Sequence, residues 1–153
     1  WRYFEASVIQ MRSHQEWTNI LKRMLEDMPA TDMSHRSRLA SAVVYRGDLV
    51  SFGFNSLKTH PLQAKYSKNP FSIHLHSEID AIKNAMRHIS QRELSKSTLY
   101  VARVKKEQIT MRNIQGMAKP CPGCARAIAT FDIRNVVWTL DEQGLSCDEH
   151  VSA

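Results

Sequence analysis

The segments His76-Ser77-Glu78 and Pro120-Cys121-Pro122-Gly123-Cys124 decide how the rest of the chain is read, because each opens a run of small and apolar residues at helical spacing. One imidazole and two thiolates are the ligand types that zinc takes. A structural zinc site normally closes with four protein ligands, whereas a catalytic one has three and keeps a position for water. Glu78 is then left over as an acid/base. Residues two apart in a helix interior are turned about 200° from each other at 3.6 residues per turn, so His76 and Glu78 cannot share a lateral face. They can share an end: if both sit in a first turn, the metal lies beyond the helix N-terminus, with His76 as ligand and Glu78 within reach of a water there. Cys121 and Cys124 are three apart, which puts both side chains on one side of a first turn. Pro120 and Pro122 are tolerated there because those N–H groups have no intrahelical partner. Two positive helix ends facing one metal favour thiolate over thiol.

The 153 residues suffice for one domain with a real core and are too few for two of ordinary size. Residues 11–153 are therefore expected to form a single domain, with residues 1–10 an expression remnant or N-terminal extension. Two of the three cysteines are committed to the Cys-x-x-Cys, leaving only Cys147, so a disulfide framework is excluded and a reducing compartment is expected. No apolar run reaches the length of a membrane span or a signal-peptide core, which points to a cytoplasmic protein with no membrane partner. The excess of 21 Lys+Arg over 15 Asp+Glu, a net charge of +6, suits an anionic partner such as a nucleotide phosphate or a nucleic acid. A solvated basic surface explains the same charge.

Ser13-His14-Gln15-Glu16 has the form of a capping box, followed by Trp17, Ile20, Leu21, Met24, Leu25 and Met28 at helical spacing until Pro29. Leu39 to Tyr45 and Leu49 to Phe54 read as a β-hairpin about Arg46-Gly47-Asp48, delivering Asn55 to the edge of the site. Residues 57–75 carry Lys58, His60, Lys65, Lys68 and His74 without an acid, and Pro61, Asn69 and Pro70 predict a loop. Ile79, Ile82, Met86 and Ile89 form a buried helix face. Thr98 to Val104, apolar except for Arg103, reads as a strand buried on both faces. A long connection, Lys105 to Lys119, could act as a lid. Cys124 to Phe131 reads as a helix and Val136 to Leu140 as the last clear strand. This order predicts an α/β sandwich whose two βαβ crossovers make most of the sheet parallel.

His-x-Glu followed by Pro-Cys-x-x-Cys is the signature of zinc nucleobase deaminases. Through Gly53-Phe54-Asn55, Lys58-Thr59-His60-Pro61, His76 to Ile82 and Lys119 to Ala125, the chain resembles the zinc-dependent cytidine and deoxycytidylate deaminase superfamily, most of all its small phage-type deoxycytidylate deaminases. The resemblance spans Arg38 to Leu140. It implies a three-layer α/β sandwich with a mixed sheet of four to five strands and helices on both faces; a fifth strand, if present, is left to Trp1 to Ile9. It further implies Zn2+ held by His76, Cys121 and Cys124, Glu78 as the catalytic acid/base, Asn55 on the sugar, and backbone groups of Ser77 and Cys121 on the base. Ser77 departs from the family, which more often has Ala there.

Lys58, with Lys65 and Lys68 as alternatives, is a candidate phosphate contact; the plain reading of each is a solvated lysine. The expected activity is hydrolytic deamination of a free cytosine nucleotide, deoxycytidine monophosphate to the uridine nucleotide, by a homo-oligomer. Two alternatives stand beside it. A polynucleotide deaminase acting on cytosine or adenine needs a basic groove with aromatic platforms, for which the loop offers only Tyr66 and Phe71. A non-catalytic zinc-stabilised module should lack Glu78 or close the metal with a fourth ligand such as His60 or His74.

Overall fold

Ser13 starts the first helix, α1 (His14–Asp27), by accepting a hydrogen bond from the Glu16 N–H. The structure, a computed structural model, describes residues 12–28, 38–68 and 74–148; the expectations placed on residues 1–10, including a strand at Trp1 to Ile9, lie outside these. Trp17, Leu21 and Leu25 of α1 are buried, while Met24 and Met28 are half-buried at its margin.

The chain then forms β1 (Arg38–Tyr45) and β2 (Asp48–Phe54). They are joined by Arg46 and Gly47, both at positive φ (52° and 80°), the geometry that matches a two-residue turn to the twist of its strands. After these come α2 (Pro61–Ser67), α3 (Ser77–Ala85), α4 (Gln91–Ser95), β3 (Thr98–Lys106), β4 (Asn113–Gly116), α5 (Pro122–Thr130), β5 (Asn135–Thr139) and β6 (Leu145–Asp148).

One sheet of six strands has the order β2-β1-β3-β5-β6, with β4 paired to the far end of β3. The mixed α/β sandwich is as expected, and the described residues supply six strands where four to five were expected. Among the described residues only β3 and β5 pair in parallel; β1 with β2, β1 with β3, β3 with β4 and β5 with β6 are antiparallel. The sequence pattern overstates the parallel share because β2 and β3, which the first crossover joins, are separated in the sheet by β1. The strands alternate between two cores, as period-two side chains on a doubly covered sheet must. Ala42, Val44, Tyr100 and Ala102 pack with Trp17, Leu21 and Leu25 of α1. Val43, Leu99 and Val101 pack with Ala81, Ile82 and Ile128 of α3 and α5.

Three further expectations are corrected. Residues 61–67 are helical rather than loop: Pro61 occupies the first turn, His60 caps it and Lys68 closes it at φ 53°. The Lys105 to Lys119 connection is a hairpin that adds β4 to the sheet. α3 ends at Ala85, so Met86 is exposed instead of extending the buried face.

Candidate metal and catalytic site

The N-termini of α3 and α5 meet at one point. His76 is the N-cap of α3 and Cys121 the N-cap of α5, both with extended backbone, and Cys124 lies in the first turn of α5. His76 Nδ1 is 3.3 Å from Cys124 Sγ and 3.4 Å from Cys121 Sγ. All three donor atoms lie within 4.8 Å of one another. With zinc bonds of about 2.0 Å to nitrogen and 2.3 Å to sulfur, two ligands of one tetrahedral ion stand about 3.5 to 3.8 Å apart. The set therefore fits zinc in distance as well as in chemistry. His60 and His74 are turned to other work: His60 Nδ1 accepts from the Leu62 N–H, and His74 Nδ1 lies 2.9 Å from the Leu57 carbonyl.

The two thiols divide one proton. Cys121 is pulled down to about 3 by the hydrogen bond from the Cys124 thiol, helped by His76, against the opposing effect of burial. Cys124, as donor in that bond and fully buried, is pushed up. The bond to Cys121 also raises His76, with Glu78 adding to the shift and burial opposing it. A thiolate beside an imidazole is a soft, electron-rich pair ready for a divalent cation.

Glu78 is 4 % exposed, and its Oε1 accepts from the Ser77 hydroxyl at 2.8 Å. Ser77 Oγ is in turn 2.8 Å from Ser41 Oγ on β1, so two buried hydroxyls lead to the carboxylate. Asn55 is held at the sheet edge by paired bonds: its Oδ1 accepts from the Leu39 N–H at 3.0 Å, and its own N–H donates to the Leu39 carbonyl. These residues line a cavity of about 260 Å³ that contains His76, Ser77, Glu78, Cys121 and Asn55 together with Leu39, Arg103, Met117, Ala118 and Lys119.

Helix α3 is clamped onto the sheet by β2. The Phe54 N–H donates to Asp80, the Ser51 hydroxyl to the Ala81 carbonyl, and the Asn84 amide to the Phe52 carbonyl. At Gly53 the approach is closest: a Cβ there would stand 2.2 Å from the Ala81 nitrogen and 2.3 Å from the Ser77 oxygen.

Of the expected site residues, the cavity brings together His76, Ser77, Glu78, Cys121 and Asn55, with Cys124 directly behind. Lys58, Lys65 and Lys68 are exposed and do not line it. Several supporting residues escape sequence reasoning. Gln63, fully buried on α2, accepts from the His76 N–H at 3.0 Å and so fixes the backbone of His76. Arg126 on α5 donates to the Tyr66 and Ser67 carbonyls, tying α2 to the metal-side helix. Neither has a signal in the sequence, since each acts through a contact more than ten residues away. Arg103 and Lys119 line the cavity where the lysines of residues 57–75 do not. Arg103 has a signal, as the only charge within Thr98 to Val104.

A family model for the cytidine and deoxycytidylate deaminase zinc-binding region matches residues 11–140. No sequence among curated proteins matches the chain. Among solved structures, a cytidine deaminase from Burkholderia pseudomallei superposes with a TM-score of 0.57 at 13% identity, covering 90% of this chain and 93% of that one. The likeness is one of fold. A dCMP deaminase from the cyanophage S-TIM5 superposes with a TM-score of 0.48 at 18% identity over 85% of this chain and 86% of that one. RibD of Acinetobacter baumannii gives 0.47 at 19% identity over 83% of this chain and 28% of that one.

Proposed function

The chain belongs to the cytidine and deoxycytidylate deaminase family, and on that premise we propose that this zinc-dependent hydrolytic deaminase acts on a free cytosine nucleotide, taking deoxycytidine monophosphate to the uridine nucleotide. The observation that carries the proposal is the cavity itself. It joins His76 and Cys121, a buried carboxylate and Asn55 in a volume of about 260 Å³, and among the described residues no Phe, Tyr or Trp lines it. Tyr66, one of two aromatic residues in the basic segment, is buried against Phe131. Single-stranded nucleic acid is usually gripped on exposed aromatic platforms, so the lining favours a mononucleotide.

Bound at His76, Cys121 and Cys124, zinc supplies the Lewis acidity that makes water an effective nucleophile near neutral pH. Glu78 is assigned the proton traffic. Its carboxylate takes a proton from the attacking water, delivers it to the ring nitrogen, and carries the second to the departing amine, so that water adds, the C–N bond breaks and ammonia leaves. Ser77 holds one carboxylate oxygen so that the other faces the reacting carbon. We assign Asn55 to the sugar, and backbone groups of Ser77 and Cys121 to the base.

The test is to assay zinc-loaded protein against deoxycytidine monophosphate, deoxycytidine, the corresponding adenine compounds and single-stranded oligonucleotides. Conversion of the cytosine monophosphate is expected. Deamination of oligonucleotides alone would replace this reading with a polynucleotide deaminase.

A further inference from the structure

We propose that Arg103, seconded by Lys119, forms an anion-binding end of the cavity that takes the phosphate of the substrate, an inference that rests on the nucleotide reading above. Arg103 and Lys119 are the Lys and Arg side chains lining the cavity. The sheet register sets Arg103 at a useful distance from the chemistry. Arg103 pairs with Leu39 on β1, and Leu39 is the residue whose backbone is bonded on both sides to Asn55. Paired residues on neighbouring strands present their side chains to the same face, and strands lie about 4.8 Å apart. Asn55, Leu39 and Arg103 therefore follow one another along the cavity wall. A nucleotide with its sugar at Asn55 extends its phosphate towards Arg103.

The β3–β4 hairpin is built to hold this side chain in place. Gly116 faces Arg103 across the ladder. A Cβ at Gly116 would stand 3.0 Å from Arg103 Cδ and 3.2 Å from Cγ, so the glycine leaves room for the arginine stem. The guanidinium is poorly satisfied in return. Its Nε is buried with no hydrogen-bond partner, and its Nη1 makes one long contact of 3.5 Å to the Met117 carbonyl. Among the described residues no carboxylate lies within ion-pair distance of it. Asp141, an acid that feels its charge, is taken up by Lys105 Nζ at 3.0 Å and the Met117 N–H at 3.1 Å. A partly buried guanidinium without an anion is costly, and an unsatisfied group of this kind calls for a partner. The planar fork of arginine matches phosphate oxygens in a bidentate way. Lys119, exposed at the cavity rim just before Pro120, adds a second positive charge.

The experiment measures two quantities on wild type, Arg103→Gln, Arg103→Lys, Lys119→Gln and Lys58→Gln. One is the affinity for inorganic phosphate by titration calorimetry. The other is the ratio of kcat/KM for deoxycytidine monophosphate to that for deoxycytidine, with a single-stranded deoxycytidine oligonucleotide as a third substrate. Arg103→Gln is expected to weaken phosphate binding and to lower the ratio by about tenfold to a hundredfold, the worth of one or two charge-assisted hydrogen bonds. Lys119→Gln should lower it less, and Arg103→Lys should fall between wild type and Arg103→Gln. If Arg103→Gln folds poorly, the lysine variant and the exposed Lys119 decide the matter. Should no free nucleotide be turned over, the nucleotide reading fails on its own. Phosphate affinity still decides for Arg103, and loss of oligonucleotide activity in Arg103→Gln would identify the phosphate as one from a polynucleotide backbone. An unchanged ratio and unchanged phosphate affinity in both Arg103→Gln and Lys119→Gln, or a fall in Lys58→Gln alone, would overturn the proposal.

Discussion

Ser77 ties the candidate catalytic carboxylate to the sheet. Its hydroxyl stands between Glu78 and Ser41, and all three residues are buried. Ser77→Ala should keep turnover within about tenfold, because a modest reorientation of Glu78 is all that is lost. It should nonetheless destabilise the fold by about 1 to 3 kcal/mol, since the Ser41 hydroxyl loses its partner in the core. Adding Ser41→Ala should recover most of that loss, as removing both partners of a buried pair is nearly neutral; denaturant unfolding of the single and double variants measures it. The cysteines allow a second prediction. A thiolate persists above its own pKa, so with Cys121 drawn down to about 3 its reactivity should survive at pH 6, where ordinary thiols are protonated. In metal-free protein, alkylation at pH 6 mapped by mass spectrometry should mark Cys121 before the buried, raised Cys124. Bound zinc should protect both. The cluster of His76, Cys121 and Cys124 is legible in the sequence because its spacing is local to two helix starts. Gln63, Ser41 and Arg103 were not, or only as an odd charge in an apolar run, because their roles depend on strands and helices brought together from far apart in the chain.

The elements that carry the site are held by close backbone approach, and Gly53 is the narrowest point. Gly53→Ala would drive a Cβ into the backbone of α3 at Ser77 and Ala81, and neither atom belongs to a flexible side chain. A loss of at least about 1 to 3 kcal/mol is expected from such overpacking, with reduced activity because α3 carries both His76 and Glu78. Thermal unfolding of the variant measures the first effect; turnover, with zinc content on the same sample, measures the second. Elements with local signals were legible: α1 by its Ser13 cap, the β1–β2 hairpin by Arg46-Gly47, α5 by its prolines and small residues. α2 escapes the sequence pattern because Pro61 looks like a breaker, whereas a proline in the first turn is helix-compatible. β4 and β6, four residues each, carry too little pattern to be seen. Long-range bonds hold β4: Gln115 is bonded by Lys22 of α1 and donates to the Leu140 and Gly144 carbonyls.

Across the whole molecule, two cores on opposite faces of one sheet bring the starts of α3 and α5 to a single metal-sized gap, and the β3–β4 hairpin closes the cavity from the side. The sandwich was legible from the alternation of strands and helices. Strand directions were not, since the placing of β1 between β2 and β3 is a property of the assembled sheet. No helix among the described residues is long and apolar enough to cross a membrane. About one zinc per chain is expected by elemental analysis, and its removal by chelator should lower the unfolding temperature, because an ion bound to the folded state stabilises it. Replacing both Cys121 and Cys124 by Ala should abolish retention. The division of labour between metal and carboxylate is tested most directly by Glu78→Gln, with zinc content and turnover of deoxycytidine monophosphate measured on the same samples beside wild type. The amide keeps the shape of the carboxylate and cannot carry a proton, so the expected result is full zinc occupancy with turnover reduced by about a hundredfold to ten-thousandfold; full occupancy with near-normal turnover would contradict the assignment of Glu78.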